Sequence, residues 1–463
     1  MNTLDRIIST LKQNPLLIDP LAGVLELVDH STATPADSWR QAEHDLLDAT
    51  RLFSCAAQQA VLQTFDAPCP KTLVHQGQRF ERTRRIPKTY VGLDGPVRVH
   101  RWLYRSHDGQ SLCPLEMRAG IVHATLTPAA ARLEMLSTAG DDYRKSEQLL
   151  HAAHLLGART KSSLERDIVA MRAQMREHLG ELEQVRRDVL AHCAPLEQVA
   201  TISVSVDRTG LPFEESVKRG PGRPKKGAPK RPCHVVKRHC YCACLSLHDE
   251  RGRALATQRF AALPGDGDEL VEDARACLNQ LVEQYPKARL VGICDGAVEM
   301  QRRVLEVAAD RELEVEIVDA WHAVGYVSQA FGALGYNESS RREMVRRVLE
   351  NKTGVKEVLI RLRTAQLKSS VEEVERAVTF LQNNKERMDY VRAREQGSPI
   401  GSGCVEASCK CVVAVRFKRS GARWKAAGAE ALLHIRSWLT SDQGVAPPIL
   451  DAFLDTYVMP IAA

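Results

Sequence analysis

The sequence has no apolar run near the roughly 18 residues that a membrane span requires. Its opening, MNTLDRIISTLKQNP, lacks the pattern of a signal peptide. A cytoplasmic or nucleoid-associated protein with no membrane partner is the expectation. A disulfide framework is also missing, since the thirteen cysteines are odd in number and have no secretory context. No C-x-x-C pair occurs either. Cys240, Cys242 and Cys244 alternate along a predicted strand near Cys233, His234 and His239, but C-x-C-x-C is poor spacing for structural zinc. Small thiols buried on one strand face are the plainer reading. There is no internal repeat.

What is present is a chain of 463 residues with 44% hydrophobic and 26% charged residues, enough for a few globular domains with ample core. The net charge of +6 decides little, but its distribution does more. Residues 218–238 and 410–425 are rich in Lys and Arg and contain no acid. Such blocks are the electrostatic footprint of a polyanion. The candidate DNA contacts are Arg219, Arg223, Lys225 and Lys226 in the first block, and Lys410, Arg416, Lys418, Arg419, Arg423 and Lys425 in the second. The loop PGRPKKGAPK resembles an AT-hook, in which an extended Gly-Arg-Pro core enters the minor groove.

The periodicity changes along the chain. Residues 1–65 read as helices, and 66–120 as a basic two-stranded hairpin around Gly92–Gly95. Residues 121–197 are helical again with a helix-turn-helix outline. Thr127 and Pro128 open one helix, and Thr160 or Ser162 caps another. From 198 to 322 the order becomes β-β-β-α-β-α-β, that of an RNase-H-like fold. A charged helical insertion covers 323–396, the core resumes over 397–442, and 443–463 forms a tail.

Three dispersed carboxylates stand out. Asp207 in ISVSVDRTG and Asp295 in ARLVGICDGA end strand-like runs, and Glu406 in SPIGSGCVEASCK enters a helix behind a glycine turn, with Ser402 as its cap. Ligands in open α/β sheets bind beyond the strand ends. Two carboxylates brought together there are unfavourable unless a proton or a cation lies between them. Mg²⁺, or Mn²⁺ in its place, suits such oxygen ligands. Asp319 in VDAWHAV also ends a strand, with His322 three residues on, and competes with Asp295 for the second ligand position. The preferred reading makes Asp207, Asp295 and Glu406 the catalytic metal ligands and Asp319 with His322 a supporting pair.

SVDRTG, CDGA, VDAWH and PIGSGCVEASCKCVVAVRFKRSGARWKAAGAEALLHIRS together resemble the IS-Kra-type insertion-sequence transposases, DDE enzymes related to Mutator-like elements. The likeness covers about residues 200–440, with G-S-G-x-V-E-A as its most specific stretch. It implies Asp207, Asp295 and Glu406 as the catalytic triad, with Asp319 and His322 as the D-x-x-H element. It also implies a two-metal mechanism of strand cleavage and strand transfer on double-stranded DNA, at element ends and target, by a homo-oligomer. A nuclease without strand transfer and a noncatalytic DNA-binding relative are the rival readings. The paired cysteines that relatives carry around the N-terminal hairpin are absent here. Only Cys69 and Cys113, with His75 and His107, stand in that region.

Overall fold

The computed structural model describes residues 3–33, 39–157, 159–190, 198–215, 234–309, 311–368, 370–442 and 444–459. They fall into two compact units, Met1–His178 with Leu450–Ala463, and Leu179–Ile449. No described helix is long and apolar enough to cross a membrane.

The first unit opens with helices α1 (Thr3–Gln13), α2 (Ile18–Ala33) and α3 (Trp39–Thr64). Strands β1 (Thr72–His75), β2 (Gln78–Val91), β3 (Pro96–Ser106) and β4 (Ser111–Leu112) form one antiparallel sheet in chain order. The two-stranded ribbon expected here is therefore the centre of four strands. Its short flanking strands carry too few residues to show an alternation of their own. Helices α4 (Pro114–Arg118), α5 (Pro128–Gly140), α6 (Tyr143–Ala152) and α7 (Lys161–Glu177) follow. Thr127 caps α5 with Pro128 at its first position, and Thr160 forms a capping box with Ser163 on α7.

The second unit is mixed α/β. After α8 (Leu179–Leu190) come β5 (Thr201–Glu215), β6 (His234–His248) and β7 (Ala254–Ala262). Then follow α9 (Gly267–Gln284), β8 (Arg289–Cys294), α10 (Val298–Ala308) and β9 (Val315–Val318). The five strands lie in the order β7-β6-β5-β8-β9. The first three are antiparallel neighbours, and β5, β8 and β9 run parallel.

Each sheet face has its own chemistry. Ile202, Val204 and Val206 are apolar, and a Cβ on Gly292, which pairs with Val204, would touch Val304 of α10. The other face carries Ser203, Ser205, Cys242, Cys244 and Ser246, all buried, with Ser203 bonded to His248 at 2.8 Å. Small side chains on that face let a helix approach closely. Cys240, Cys242 and Cys244 are fully buried free thiols, so the plainer reading of the C-x-C-x-C run describes them.

Beyond β9 the chain is helical: α11 (Ala320–Ala333), α12 (Glu338–Glu350), α13 (Gly354–Gln366), α14 (Glu372–Asn384) and α15 (Tyr390–Glu395). These helices share one apolar core with the parallel edge of the sheet, where Ile293, Ile317 and Val318 meet Val327, Phe331, Val374 and Leu381. Next, α16 (Gly403–Ser408) continues through a π-helical stretch (Cys409–Ala414) into α17 (Val415–Phe417). Helix α18 (Ala426–Thr440) follows, and α19 (Ala446–Asp455) takes Pro447 and Pro448 in its first turn. The expected tail thus contains a helix, because proline is tolerated where the first N–H groups have no intrahelical partner.

Candidate metal centre

Parallel pairing sets the geometry. Ser205 pairs with Ile293, and Cys294 pairs with Val318. Continued past these pairs, the register lines up Asp207, Asp295 and Asp319 in one row across β5, β8 and β9. A backbone bond from the Asp319 N–H to the Cys294 carbonyl, 2.8 Å, holds the last two chains together at that level.

Asp207 differs from expectation in one respect. It lies in the middle of β5, which runs on to Glu215 paired with β6. The apolar run pauses at Asp207–Gly210, where β8 has ended and β5 has lost its second neighbour, and alternation resumes with Leu211 and Phe213 on the other face. The carboxylate thus stands where a five-stranded sheet narrows to a ribbon. Burial pushes the Asp207 carboxyl up, and the nearby Asp295 charge adds to the rise. Its own following N–H, at 2.6 Å, the Cys409 thiol, at 3.5 Å, and the charge of His322 act in the opposite sense, and the rise prevails. Contact with Cys242 and burial keep the Cys409 thiol protonated, so it serves as a donor.

Asp295 is half-buried in the turn after β8 and accepts the Ala297 N–H at 2.9 Å. The turn is shaped by Gly296, with φ +89°. A Cβ there would stand 2.9 Å from Phe380 and 3.2 Å from Asn384 of α14. Gly296→Ala is therefore expected to cost about 1–3 kcal/mol from backbone strain alone, with added loss from the Phe380 clash. Urea unfolding of Gly296→Ala, alone and with Phe380→Ala, checks this: the double variant should lose less stability than the sum of the two single losses.

Asp319 is fully buried and saturated with donors. Its Oδ1 accepts the His322 N–H at 2.8 Å and lies 3.3 Å from His322 Nδ1. Its Oδ2 accepts the Ser402 hydroxyl at 2.7 Å and the Ser402 N–H. Burial alone would raise this carboxyl, but the donors from His322 and Ser402 outweigh it and hold it at about 2. Gly401 gives the room, since a Cβ on it would press on Trp321 at 3.2 Å. Ser402 was expected to cap α16. It occupies the cap position without a capping bond and spends its hydroxyl on Asp319.

Glu406 projects from α16 into solvent, about half exposed, with its Oε1 3.9 Å from His322 Nδ1. Among the described residues, Asp319, His322 and Glu406 form the group whose ligand atoms lie within 4.8 Å of one another. Asp207 and Asp295 are not members of that group; the charge of Asp295 acts on both Asp207 and His322, and that of His322 on Asp207. The Asp319 hydrogen bond raises the His322 pKa, burial opposes this, and the charges of Asp319, Asp295 and Glu406 reinforce it. These acids thus favour the protonated form of the imidazole.

The basic track divides. Lys410, Lys418, Arg423 and Lys425 are exposed, Arg419 is half-buried, and Lys418 Nζ reaches the Thr209 hydroxyl two residues past Asp207. Arg416 corrects the expectation. It is buried, 2% exposed, with its guanidinium 4.7 Å from the Trp424 ring centroid. It lies just past the six-residue π-helical stretch, in the short helix α17. Arg219, Arg223, Lys225 and Lys226 lie outside the described residues. Sequence reasoning did not find Ser402 as the partner of Asp319, or Cys409 as the donor to Asp207. The spacing of Cys409, three residues after Glu406 on one helical face, is a signal that could have shown the second.

No protein-family profile and no curated protein matches the chain. Solved structures similar to it include two transposase complexes. One is the Drosophila P element transposase strand transfer complex, at 12% identity over 70% of this chain and 78% of that one, with a TM-score of 0.24. The other is the Mos1 transposase paired-end complex with left transposon end, at 11% identity over 63% and 79%, with a TM-score of 0.15. At those scores neither likeness carries weight for the chemistry of this chain.

Proposed function

We propose that the second unit is an RNase-H-like catalytic core and that the chain is a DNA transposase cutting and joining phosphodiesters at Asp207, Asp295 and Glu406. One observation carries the reading: continued two residues past the Ser205–Ile293 pair, the β5–β8 register brings Asp207 level with Asp295 in the turn after β8, and burial together with the Asp295 charge raises the Asp207 pKa. Such a pair gains from a cation, and an all-carboxylate donor set fits a hard one such as Mg²⁺ or Mn²⁺. Strand order β7-β6-β5-β8-β9, with the first three antiparallel, supports the fold assignment.

In this reading Asp207, Asp295 and Glu406 hold the metal, which supplies Lewis-acid polarisation of a phosphoryl oxygen. Asp319 does not ligate. It ties β9 to the turn before α16, and so sets the depth at which Glu406 enters. His322, fixed by Asp319, has its protonated form favoured by the charges of Asp295 and Glu406. Lys410 and Lys418 meet the phosphates of the strand being cut, and Arg423 and Lys425 extend that track along β5, where Trp424 pairs with Phe213. Water attacks phosphorus, the bond to the 3′ oxygen breaks, and the freed 3′-hydroxyl attacks a second phosphodiester with loss of its own 3′ oxygen. Two DNA ends acting together require a homo-oligomer.

The test is a joining assay with end-labelled DNA carrying the element's ends, in Mg²⁺. Nicked and joined products are expected. Nicking without joining points instead to a nuclease, and DNA binding with no Mg²⁺-dependent product to a noncatalytic relative.

A further inference from the structure

Two openings flank the carboxylates. One, of about 770 Å³, begins at Gly296 beside Asp295 and is lined by Gln301, Tyr326, Arg376, Phe380 and Asn383. The other, of about 340 Å³, begins at His322 and is lined by Gly325, Gln329 and Glu373. They share Tyr326 and Arg376, so they are two arms of one groove between α14 and the strand-end site. At its junction Tyr326 and Phe380 stack, with ring centroids 4.1 Å apart and planes at 21°.

The chemistry of this groove differs from that of the basic track. Arg376 is ion-paired with Glu372, and Glu373 and Glu375 also line the groove beside Arg387, so the walls offer little net charge for a duplex backbone. They offer instead a half-buried aromatic stack, the exposed amide of Asn383 and one largely exposed guanidinium, that of Arg376. A flat heteroaromatic group with polar edges and a single phosphate fits that set. Aromatic side chains hold unpaired bases in this manner, and every base has a face to stack. The groove is also built into the site: Phe380 packs against Gly296, so a group lodged there lies beside the Asp295 turn.

We infer that this groove receives an unpaired nucleotide of the DNA strand being processed, its base joining the Tyr326–Phe380 stack and its phosphate meeting Arg376. The inference rests on the reading of the site as a phosphodiester-processing centre. Lodging one nucleotide here draws the neighbouring phosphodiester to the carboxylates and selects DNA that is frayed or already nicked at the cut.

The test uses the full chain without divalent metal, so that binding is read apart from cleavage. The probe is a single-stranded oligonucleotide of about 10 nucleotides with one 2-aminopurine, compared with the same sequence as a blunt duplex. Binding with quenched 2-aminopurine fluorescence is expected for the single strand. Arg376→Ala and Asn383→Asp, both at exposed positions, should each weaken it roughly tenfold while duplex binding is unchanged. Tyr326→Leu should reduce the quenching. Unchanged single-strand affinity and quenching in folded Arg376→Ala and Asn383→Asp overturns the inference, as does equal competition by the duplex. Metal-dependent cleavage that persists alongside either result leaves the proposed function standing. Nucleotide binding at the groove without any cleavage supports the groove and contradicts that function.

Discussion

If the proposed function holds, Asp207→Asn is expected to abolish metal-dependent cleavage of DNA, with a loss of about a thousandfold or more, while the protein stays folded. The magnitude follows from what the residue would hold, since Lewis-acid stabilisation of a phosphoryl transition state is worth several kcal/mol, and about 4 kcal/mol is a thousandfold in rate. The fold is spared for a local reason. The Asp207 carboxyl is already raised by burial and by Asp295, so a neutral amide of the same shape removes a repulsion. Single-turnover cleavage of end-labelled DNA reads the rate, and urea unfolding reads the fold. Asp207→Asn that keeps wild-type cleavage, or Asp207→Asn that is inactive because it is unfolded, contradicts this account.

Asp319→Asn behaves in the opposite manner, losing stability first and activity through it. With its carboxyl depressed from 3.8 to about 2, the native state binds a proton there less readily than the unfolded chain does. The contribution is therefore fully present above the unfolded value and is lost as pH falls through the folded one. It amounts to about 2 kcal/mol near neutrality and roughly half of that at pH 3. Measured as the difference between wild type and Asp319→Asn in urea unfolding, the gap should be constant above about pH 5 and shrink towards pH 3. A gap that does not change with pH contradicts the hydrogen-bond account of Asp319. Cleavage by this variant should be reduced, because Ser402 no longer anchors the turn from which Glu406 projects, and raising the metal concentration should recover it in part. Asp207→Asn should show no such recovery.

These two residues also mark how far the sequence could be read. The succession of strands and helices from 201 to 318 was legible because β5 alternates and β8 runs apolar between polar breaks, and in the first unit Thr127 and Thr160 marked the starts of α5 and α7. The row of Asp207, Asp295 and Asp319 was half legible. Each lies where an apolar run stops, but only the pairing register shows that they align. That Asp207 is mid-strand was hidden, since pairing with β6 continues through the polar stretch Asp207–Gly210, after which Leu211 and Phe213 alternate on the opposite parity. The role of Ser402 was hidden for a different reason: a serine before a helix reads as its cap, and its true partner lies 83 positions away. Arg416 was hidden too: a basic residue in an acid-free block reads as exposed, and its packing against Trp424 is visible only in the fold, while Lys410 and Lys418 stay exposed.

The central claim is where the metal sits. A crystal of the protein soaked in Mn²⁺, with the anomalous signal mapped, tests it directly. The account predicts density between Asp207 and Asp295 with Glu406 in reach, and Asp319 still bonded to Ser402 and His322. Density bound by Asp319, His322 and Glu406, with Asp207 left unliganded, would contradict it.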